Sequence, residues 1–388
     1  MSILRPAARH LPFVVVALAL AASCPMPLLA QAGKPAKVAA TAQTRSVPSR
    51  GDAADDIAIW VNSADTQHSR IFATDKKAGV IAYDMTGEIV QSLLVGRINN
   101  IDLRDGFEID GTPRVLVAGS ERDANAARLW LVDPATGLLV DAPGERVSVN
   151  VPEPYGICLA MHAGKAYVFT SDRTRGVVQH ELTIRDGQVV ATLVRTFVTV
   201  GEVEGMAADD QLGVVYFSEE DACVWRVPID PTIPLGRANA DAKTPVMLSI
   251  PAAAKDADRA KPESMVVVAR CVPGQPIVPD AEGIAIASVA NSGVVIVSSQ
   301  GNSTFAVFDR ALTNQYRGSF RLVGSKSVDA VEETDGIDVA CASMGAAFPF
   351  GVFVAQDGKV EGRGQNFKLV PWEAIARAFD PPLPIGAR

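Results

Sequence analysis

The stretch Glu282-Gly283-Ile284-Ala285-Ile286 puts an acidic residue at the head of a short apolar run. Six such runs occur, each headed by a residue able to bind a metal ion or a ligand. They begin at Asp55-Asp56-Ile57, Asn99-Asn100-Ile101, Tyr155-Gly156-Ile157, Glu204-Gly205-Met206, Glu282-Gly283-Ile284 and Asp335-Gly336-Ile337. With Asp56, Asn100, Tyr155, Glu204, Glu282 and Asp335 as anchors, the steps are 44, 55, 49, 78 and 53 residues. Those steps match four-stranded propeller blades with their loops.

The fold prediction is therefore all-β, a six-bladed β-propeller with four-stranded antiparallel blades. Short β-rich runs alternate with turn residues between the anchors, as in Arg70-Ile71-Phe72-Ala73-Thr74 followed by Gly79-Val80-Ile81-Ala82-Tyr83. If each headed run is the innermost strand of its blade, the six heads form a ring at one end of the central channel. One short C-terminal helix is predicted within Pro371–Phe379, and residues 228–262 are expected to be an exposed insertion between strands.

The ends of the chain suggest an exported protein. Arg5 and Arg9 precede an apolar stretch, residues 11–22, and Ala30-Gln31-Ala32 offers a small-residue cleavage site. We expect residues 1–32 to be a secretory signal peptide, residues 33–50 a flexible linker and residues 51–388 the propeller domain. The protein would be secreted or periplasmic, with a lipid anchor through Cys24 as the alternative. No stretch is long enough to predict a membrane span.

Charge and cysteine content narrow the partners. The net charge is −8 at pH 7, which excludes nucleic acid because binding it requires a basic face. We expect a monomer that binds a small molecule. Four cysteines follow the signal, Cys158, Cys223, Cys271 and Cys341, without a C-x-x-C pair. Buried unpaired thiols and one disulfide bridge remain equally open.

A ring of carboxylates needs cations, since like charges that converge on one channel repel each other. Calcium takes six to eight oxygen ligands and suits a site built from several loops. Further acids flank the heads, including Asp52, Glu220 and Asp280. Lys76, Lys77 and Arg122 follow the first two heads, and such bases beside bound metal ions suit a phosphate group. This combination predicts a metal-dependent hydrolase of phosphate esters.

Other phosphatase chemistries lack their residues. A cysteine nucleophile needs an arginine six positions later, but those positions hold Gly164, Ile229, Ile277 and Ala347. The one histidine beside arginine, His10, lies in the predicted signal. No G-x-S-x-G elbow occurs either.

In its motifs, the chain resembles the β-propeller phytases, calcium-dependent alkaline phytases of bacteria. The resemblance runs from about Asp52 to Phe379. It is carried by residues 52–60, Asp75-Lys76-Lys77, residues 96–104, residues 204–210, Ser299-Gln300-Gly301-Asn302-Ser303, Thr334-Asp335-Gly336-Ile337-Asp338, residues 349–358 and Gln365-Asn366-Phe367-Lys368-Leu369-Val370-Pro371-Trp372.

That resemblance implies a 3-phytase activity, in which a calcium-activated water attacks phosphorus in phytate, myo-inositol hexakisphosphate. It implies a catalytic, calcium-loaded face of Tyr155, Glu204, Glu220, Asp280, Glu282 and Asp335. It also implies phosphate contacts from Lys76, Lys77 and Arg122. Further calcium ligands would be Asp52, Asp55, Asp56 and Asn100, with a tight site at Asp56 near the Ile101 backbone. A separate structural calcium site is implied at Asp329 and Asp357.

Two departures from the family pattern matter. Ile57 replaces a proline after the Asp-Asp pair, and a lysine of the third blade is replaced, so that Arg173 serves as a substrate contact only if the loop at residues 171–175 shifts. Two alternatives remain open: another calcium-dependent propeller hydrolase, such as a lactonase or esterase, and a calcium-stabilised propeller that binds without catalysis.

Overall fold

A computed structural model of the chain describes residues 33–174, 176–233, 248–251, 265–360, 362 and 364–386. The predicted signal peptide and Cys24 lie outside these residues. None of the helices in the described ranges is long and apolar enough to cross a membrane.

Six antiparallel sheets follow one another through the described part of the chain. Blade one consists of β3 (Ala54–Trp60), β4 (Arg70–Asp75), β5 (Gly79–Tyr83) and β6 (Ile89–Leu93). Blade two consists of β7 (Ile98–Ile109), β8 (Thr112–Glu121), β9 (Ala126–Val132) and β10 (Leu139–Ser148). Blade three consists of β11 (Pro154–His162), β12 (Lys165–Asp172), β13 (Gly176–Arg185), β14 (Gln188–Val198) and the added β18 (Leu248–Pro251).

The last three blades repeat this meander. Blade four consists of β15 (Val203–Asp209), β16 (Val214–Glu219), β17 (Cys223–Pro228) and β19 (Val266–Arg270). Blade five consists of β20 (Ala281–Val289), β21 (Ser292–Ser299), β22 (Thr304–Asp309), β23 (Tyr316–Val323) and the added β1 (Ala36–Ala39). Blade six consists of β24 (Ile337–Ala340), β25 (Val352–Asp357), β26 (Asn366–Pro371) and β2 (Ala42–Gln43), and α1 (Trp372–Ala376) follows it.

The headed runs form the innermost strands, as predicted. The strands β3, β7, β11, β15, β20 and β24 each lie at one edge of their sheet, and each contacts the next in a ring that β24 closes on β3. The six-bladed all-β prediction is confirmed, and so is the short C-terminal helix.

The apolar core lies between neighbouring blades. In the described residues it divides into six clusters, each drawn mainly from two adjacent sheets. Between blades five and six, for example, Phe353 packs edge-on against Phe305, with ring centroids 5.3 Å apart. Full burial of one such ring stabilises the fold by about 2 kcal/mol. Because each blade face is covered by the next blade, the ring positions the six heads rigidly.

The prediction of a flexible linker at residues 33–50 is wrong for residues 36–43. Strand β1 pairs in parallel with β23, and β2 pairs with β26 in antiparallel fashion. The N-terminal segment therefore supplies the outermost strand of blade six and closes the ring between the two ends of the chain. Its small and β-branched residues fit an edge strand, although they do not form a long run.

The insertion between β17 and β19 of blade four is more than an exposed loop. Its described residues, Leu248–Pro251, form β18 and pair with β14 of blade three, while its other residues lie outside the described ranges.

The structure decides between unpaired thiols and a disulfide bridge. The four cysteines after the predicted signal are all unpaired: Cys158, Cys223, Cys271 and Cys341. Cys223 and Cys271 are buried in different core clusters.

Candidate active site

A β-bulge lies at the head of each innermost strand from blade one to blade five. The register shifts at these points, listed by the paired residues on either side: Ala54/Ile57, Ile98/Ile101, Pro154/Ile157, Val203/Met206 and Ala281/Ile284. A bulge re-aims a side chain and ends regular pairing. The equivalent heads are therefore Asp55 and Asn99 in the first two blades. The anchors Asp56 and Asn100 were placed one residue too late.

Glycines after four of the heads let the blades approach closely. A Cβ on Gly205 would lie 2.1 Å from the Glu282 carbonyl oxygen, and one on Gly283 would lie 2.7 Å from the Asp335 carbonyl oxygen. No side chain fits at such distances. The glycines thus allow the backbone of each head to rest against the preceding inner strand, which crowds the heads together.

The heads open into a cavity of about 340 Å³ at one end of the channel. It is lined by Asp52, Lys76, Tyr155, Arg173, Glu202, Glu204, Glu220, Asp280, Glu282, Gln300, Glu333, Asp335, Gln356, Gly358 and Gln365. All six residues of the predicted catalytic, calcium-loaded face line this one cavity, together with Asp52, Lys76 and Arg173. Among these lining residues, eight carboxylates face two cationic side chains, which is a strong local excess of negative charge.

Three glutamates form the densest part of the cavity. One carboxylate oxygen each of Glu204, Glu220 and Glu282 lies within 4.8 Å of the other two. The buried oxygens Glu220 Oε1 and Glu282 Oε2 have no hydrogen-bond partner. Burial, and then the charges of Asp55 and Asp335, raise the pKa of Glu204 well above its usual range. Burial and the neighbouring acids Glu202 and Asp280 raise the pKa of Glu220 to about 7.

The same crowding affects the other heads. Burial and the charge of Glu204 raise the pKa of Glu282, and also that of the Tyr155 phenol. Burial and the charge of Asp55 raise the pKa of Asp335 to about 8, against the pull of Lys76. Carboxyls that must hold protons to coexist are typical of a site built for positive ions.

Asp335 is held by groups that the sequence did not single out. Gln300 donates a hydrogen bond to its Oδ1 at 2.6 Å, and the side-chain Oε1 of Gln356 accepts from its backbone N–H at 2.9 Å. Both glutamines lie in or next to motifs quoted for the family resemblance. Glu202 also lines the cavity and was missed, although it stands two residues before its head just as the predicted Asp280 stands before Glu282.

Lys76 lies in the middle of an acidic cluster. Its ammonium is 2.8 Å from Asp52 Oδ1, 2.9 Å from Asp55 Oδ1 and 3.5 Å from Asp335 Oδ2. Burial lowers the pKa of Lys76, but Asp55 and Asp335 more than offset this and raise it overall. Lys76 therefore stays charged at the cavity wall. Lys77 does not line the cavity: it is exposed and its ammonium binds the Arg50 carbonyl at 2.6 Å.

Two arginines border the site on the side of blades two and three. The Arg173 guanidinium lies over the Tyr155 ring, 5.4 Å from its centroid, and 3.5 Å from Glu202 Oε2. The loop of blade three that departs from the family pattern thus places Arg173 in the cavity wall. Arg122 does not line the cavity. It forms an ion pair with Glu153, which also lies 3.9 Å from Arg173, and reaches the heads through Asn99.

Asp55 and Asn99 lie directly behind the cavity. Asp55 is almost fully buried, and its carboxylate binds Lys76 on one oxygen and Asn99 on the other. Asn99 was not predicted as a site residue. The X-Gly-Ile pattern of the later blades could have found it, because the residue two positions before Ile101 is Asn99.

Asp56 and Asn100 lie apart from the catalytic cavity. Asp56 lines a second cavity, of about 530 Å³, which follows the innermost strands along the channel. Its Oδ2 accepts a hydrogen bond from the Ile101 N–H at 3.1 Å, and burial raises its pKa well above its usual range. Asn100 is buried. Calcium binding by these two residues stays a prediction.

A lysine lies between Asp329 and Asp357, where a structural calcium site was expected. The buried Lys368 ammonium is 2.7 Å from Asp329 Oδ1 and 2.9 Å from Asp357 Oδ2. It also donates to Asn366 Oδ1 at 2.8 Å and to Gln43 Oε1 at 2.9 Å. The single ammonium offsets the charge of one of these two carboxylates, and calcium binding by Asp329 and Asp357 stays a prediction.

Fold and site together define a six-bladed propeller with an oxygen-rich, acidic cavity at one end of its channel and basic side chains in its wall. Oxygen donors without histidine or cysteine suit a hard cation such as calcium, and two of the buried glutamate oxygens have no hydrogen-bond partner.

Comparison with known proteins places the chain in a family. The phytase family profile matches residues 8–253 and 252–387. The chain is 33% identical over 353 residues to the 3-phytase of Bacillus subtilis (strain 168), an alignment that covers 88% of this chain and 85% of that protein. The chain therefore belongs to the phytase family.

Proposed function

We propose that the protein is a calcium-dependent phytase, which hydrolyses phytate to lower inositol phosphates and inorganic phosphate. The observation that carries this proposal is the cavity itself, where eight carboxylates, Lys76 and Arg173 face one space of about 340 Å³. A phosphate ester with several negative charges cannot enter so acidic a cavity unless cations neutralise it first.

Glu204, Glu220 and Glu282 would hold the catalytic calcium, with Tyr155, Asp280 and Asp335 around them. Their closeness favours this role, because three acids within 4.8 Å repel each other without a positive ion between them. Bound calcium would supply positive charge to the phosphate oxygens and acidify a water molecule. Several ions are expected, since one could not neutralise the whole lining.

The basic residues would orient the phosphate groups. Lys76 is charged and lies beside Asp335, where it can bind a phosphate oxygen as a point charge. Arg173 is held against the Tyr155 ring and can offer two parallel N–H groups to another phosphate. Arg122 lies further back and would meet a phosphate group at the edge of the cavity. Such an arrangement favours a polyphosphorylated substrate over an uncharged lactone or ester.

A variant of Glu204 tests the proposal. Glu204→Gln keeps the shape but removes a charge, and we expect phosphate release from phytate in the presence of calcium to fall by about 100-fold or more. Glu108→Gln is the matched control, because Glu108 is exposed at the far end of β7. If Glu204→Gln kept near-normal phosphate release, the catalytic face would be misplaced. If the unmodified protein hydrolysed a lactone but not phytate, the lactonase alternative would replace this proposal.

A further inference from the structure

Asn99 connects the two halves of the candidate site. It is buried at the head of blade two, and its Nδ2 lies 2.7 Å from Glu204 Oε1 and 3.0 Å from Asp55 Oδ2. A third acceptor, Asn100 Oδ1, lies at 2.8 Å. Two amide protons thus serve three acceptors, two of which are carboxylates from other blades.

The other end of the same amide meets a base. Asn99 Oδ1 accepts a hydrogen bond from Arg122 NH1 at 3.2 Å. The orientation of the amide is unambiguous, because its nitrogen faces only acceptors and its oxygen faces a guanidinium that can only donate. A carboxylate in this position could not donate to Glu204, and an aliphatic side chain could do neither.

Arg122 depends on this contact. Its guanidinium has two described partners, Asn99 and Glu153, while its Nε is buried without a hydrogen bond. Glu153 is 42% exposed on its side chain, whereas Asn99 is buried, so the Asn99 amide is the anchor of Arg122 that is shielded from water.

We propose that Asn99 is a positioning residue, which fixes the Glu204 carboxylate relative to the Arg122 guanidinium. The metal ion and the phosphate group are then held at a fixed distance and orientation to each other. This role rests on the proposed function. Its donors orient a metal-binding carboxylate, and its acceptor orients a phosphate-binding base. Partners of this kind usually contribute 10- to 100-fold to activity.

Two variants separate the two contacts. Asn99→Asp keeps an acceptor for Arg122 but loses both amide protons, whereas Asn99→Ala loses both the acceptor and the amide protons. We expect kcat for phytate to fall about 10- to 100-fold in both variants. KM should stay within about twofold in Asn99→Asp and rise about fivefold in Asn99→Ala, because only the latter releases Arg122. Asn291→Asp, on an exposed loop, is the control and should change neither value.

Calcium binding to the substrate-free protein gives a second readout. In calorimetric titration with calcium alone, Asn99→Asp should bind as tightly as the unmodified protein or more tightly, because it adds a negative charge to the cluster. A drop of more than tenfold in Asn99→Asp would contradict this expectation and overturn the role. So would unchanged kcat in both variants, or an equal rise of KM in both. An unmodified protein that releases no phosphate from phytate would instead overturn the proposed function, and this role with it.

Discussion

Without calcium, the protein should lose stability as the pH rises from 6.5 to 8.0. The reason is the raised pKa of the buried carboxyls, above all Asp335 at about 8 against an ordinary 3.8. Such a carboxyl is still protonated in the folded chain where it has already ionised in the unfolded chain. The folded state then binds more protons, so stability falls with increasing pH between those two pKa values. His180 opposes this trend only slightly, because burial lowers its pKa to about 4 and most of the stability it gains with rising pH is gained below its unfolded pKa of about 6.5.

The size of the effect follows from one carboxyl. Each pH unit within the window costs about 1.4 kcal/mol per group, so Asp335 alone should lower the free energy of unfolding by about 2 kcal/mol between pH 6.5 and 8.0. For a domain of this size that corresponds to a fall in Tm of about 3 °C. Burial shifts the pKa of Glu204 and Glu282 in the same direction, so these values are lower bounds.

The assay is thermal unfolding followed by circular dichroism, in EDTA and in excess calcium. With calcium the slope should flatten, because the carboxylates are ionised and neutralised. The matched variant is Glu204→Gln, which removes one of the carboxyls with a raised pKa and should raise Tm in EDTA at pH 8.0 although it lowers phosphate release by about 100-fold or more. If the protein in EDTA were at least as stable at pH 8.0 as at pH 6.5, the buried carboxyls could not have the raised pKa values on which this prediction depends.

Two further predictions concern the packing around the site. Lys368→Met removes the ammonium between two carboxylates, one of them fully buried. In EDTA this should lower the free energy of unfolding by about 3 kcal/mol, as measured by denaturant unfolding. An unchanged denaturation midpoint would show that the ammonium is not needed there. Gly205→Ala places a Cβ 2.1 Å from the Glu282 carbonyl oxygen, so phosphate release should fall at least tenfold because the head of blade five shifts. Its control is Gly33→Ala, which has open space, and equal activity of the two variants would contradict the crowding argument.

Much of the architecture was predictable because the innermost strand of each blade repeats the same pattern of residues. An innermost strand needs a polar head that faces the channel end and an apolar run that packs between blades. The runs after Glu204, Glu282 and Asp335 have both features, and all three heads lie in the cavity. The heads of blades three to six could also be aligned by the glycine that follows each of them. Close approach of the backbones leaves no room for a side chain at these glycines.

The missed residues depend on spatial neighbours rather than on pattern. In blades one and two an Asp or Asn stands where the later blades have glycine, and this moved the anchors to Asp56 and Asn100. The bulge that makes Asn99 the true head is a property of strand pairing. Strands β1 and β2 were taken for a linker because an edge strand can be short and small when another sheet supplies its partner.

Lys368 shows a different limit. The sequence motif around it was part of the family resemblance, yet nothing in that motif indicated that its ammonium lies between Asp329 and Asp357. Which charge neutralises a pair of carboxylates is decided by the side chain that reaches them from another strand.

The most direct test of the account is the release of inorganic phosphate from phytate at neutral pH as free calcium is varied, with EDTA at one end of the series. The account predicts that release requires calcium, is lost in EDTA and returns when calcium is added back in excess. Undiminished release in EDTA would contradict the role given to the carboxylate cavity, and no release at any calcium concentration would favour a propeller that binds its partner without catalysis.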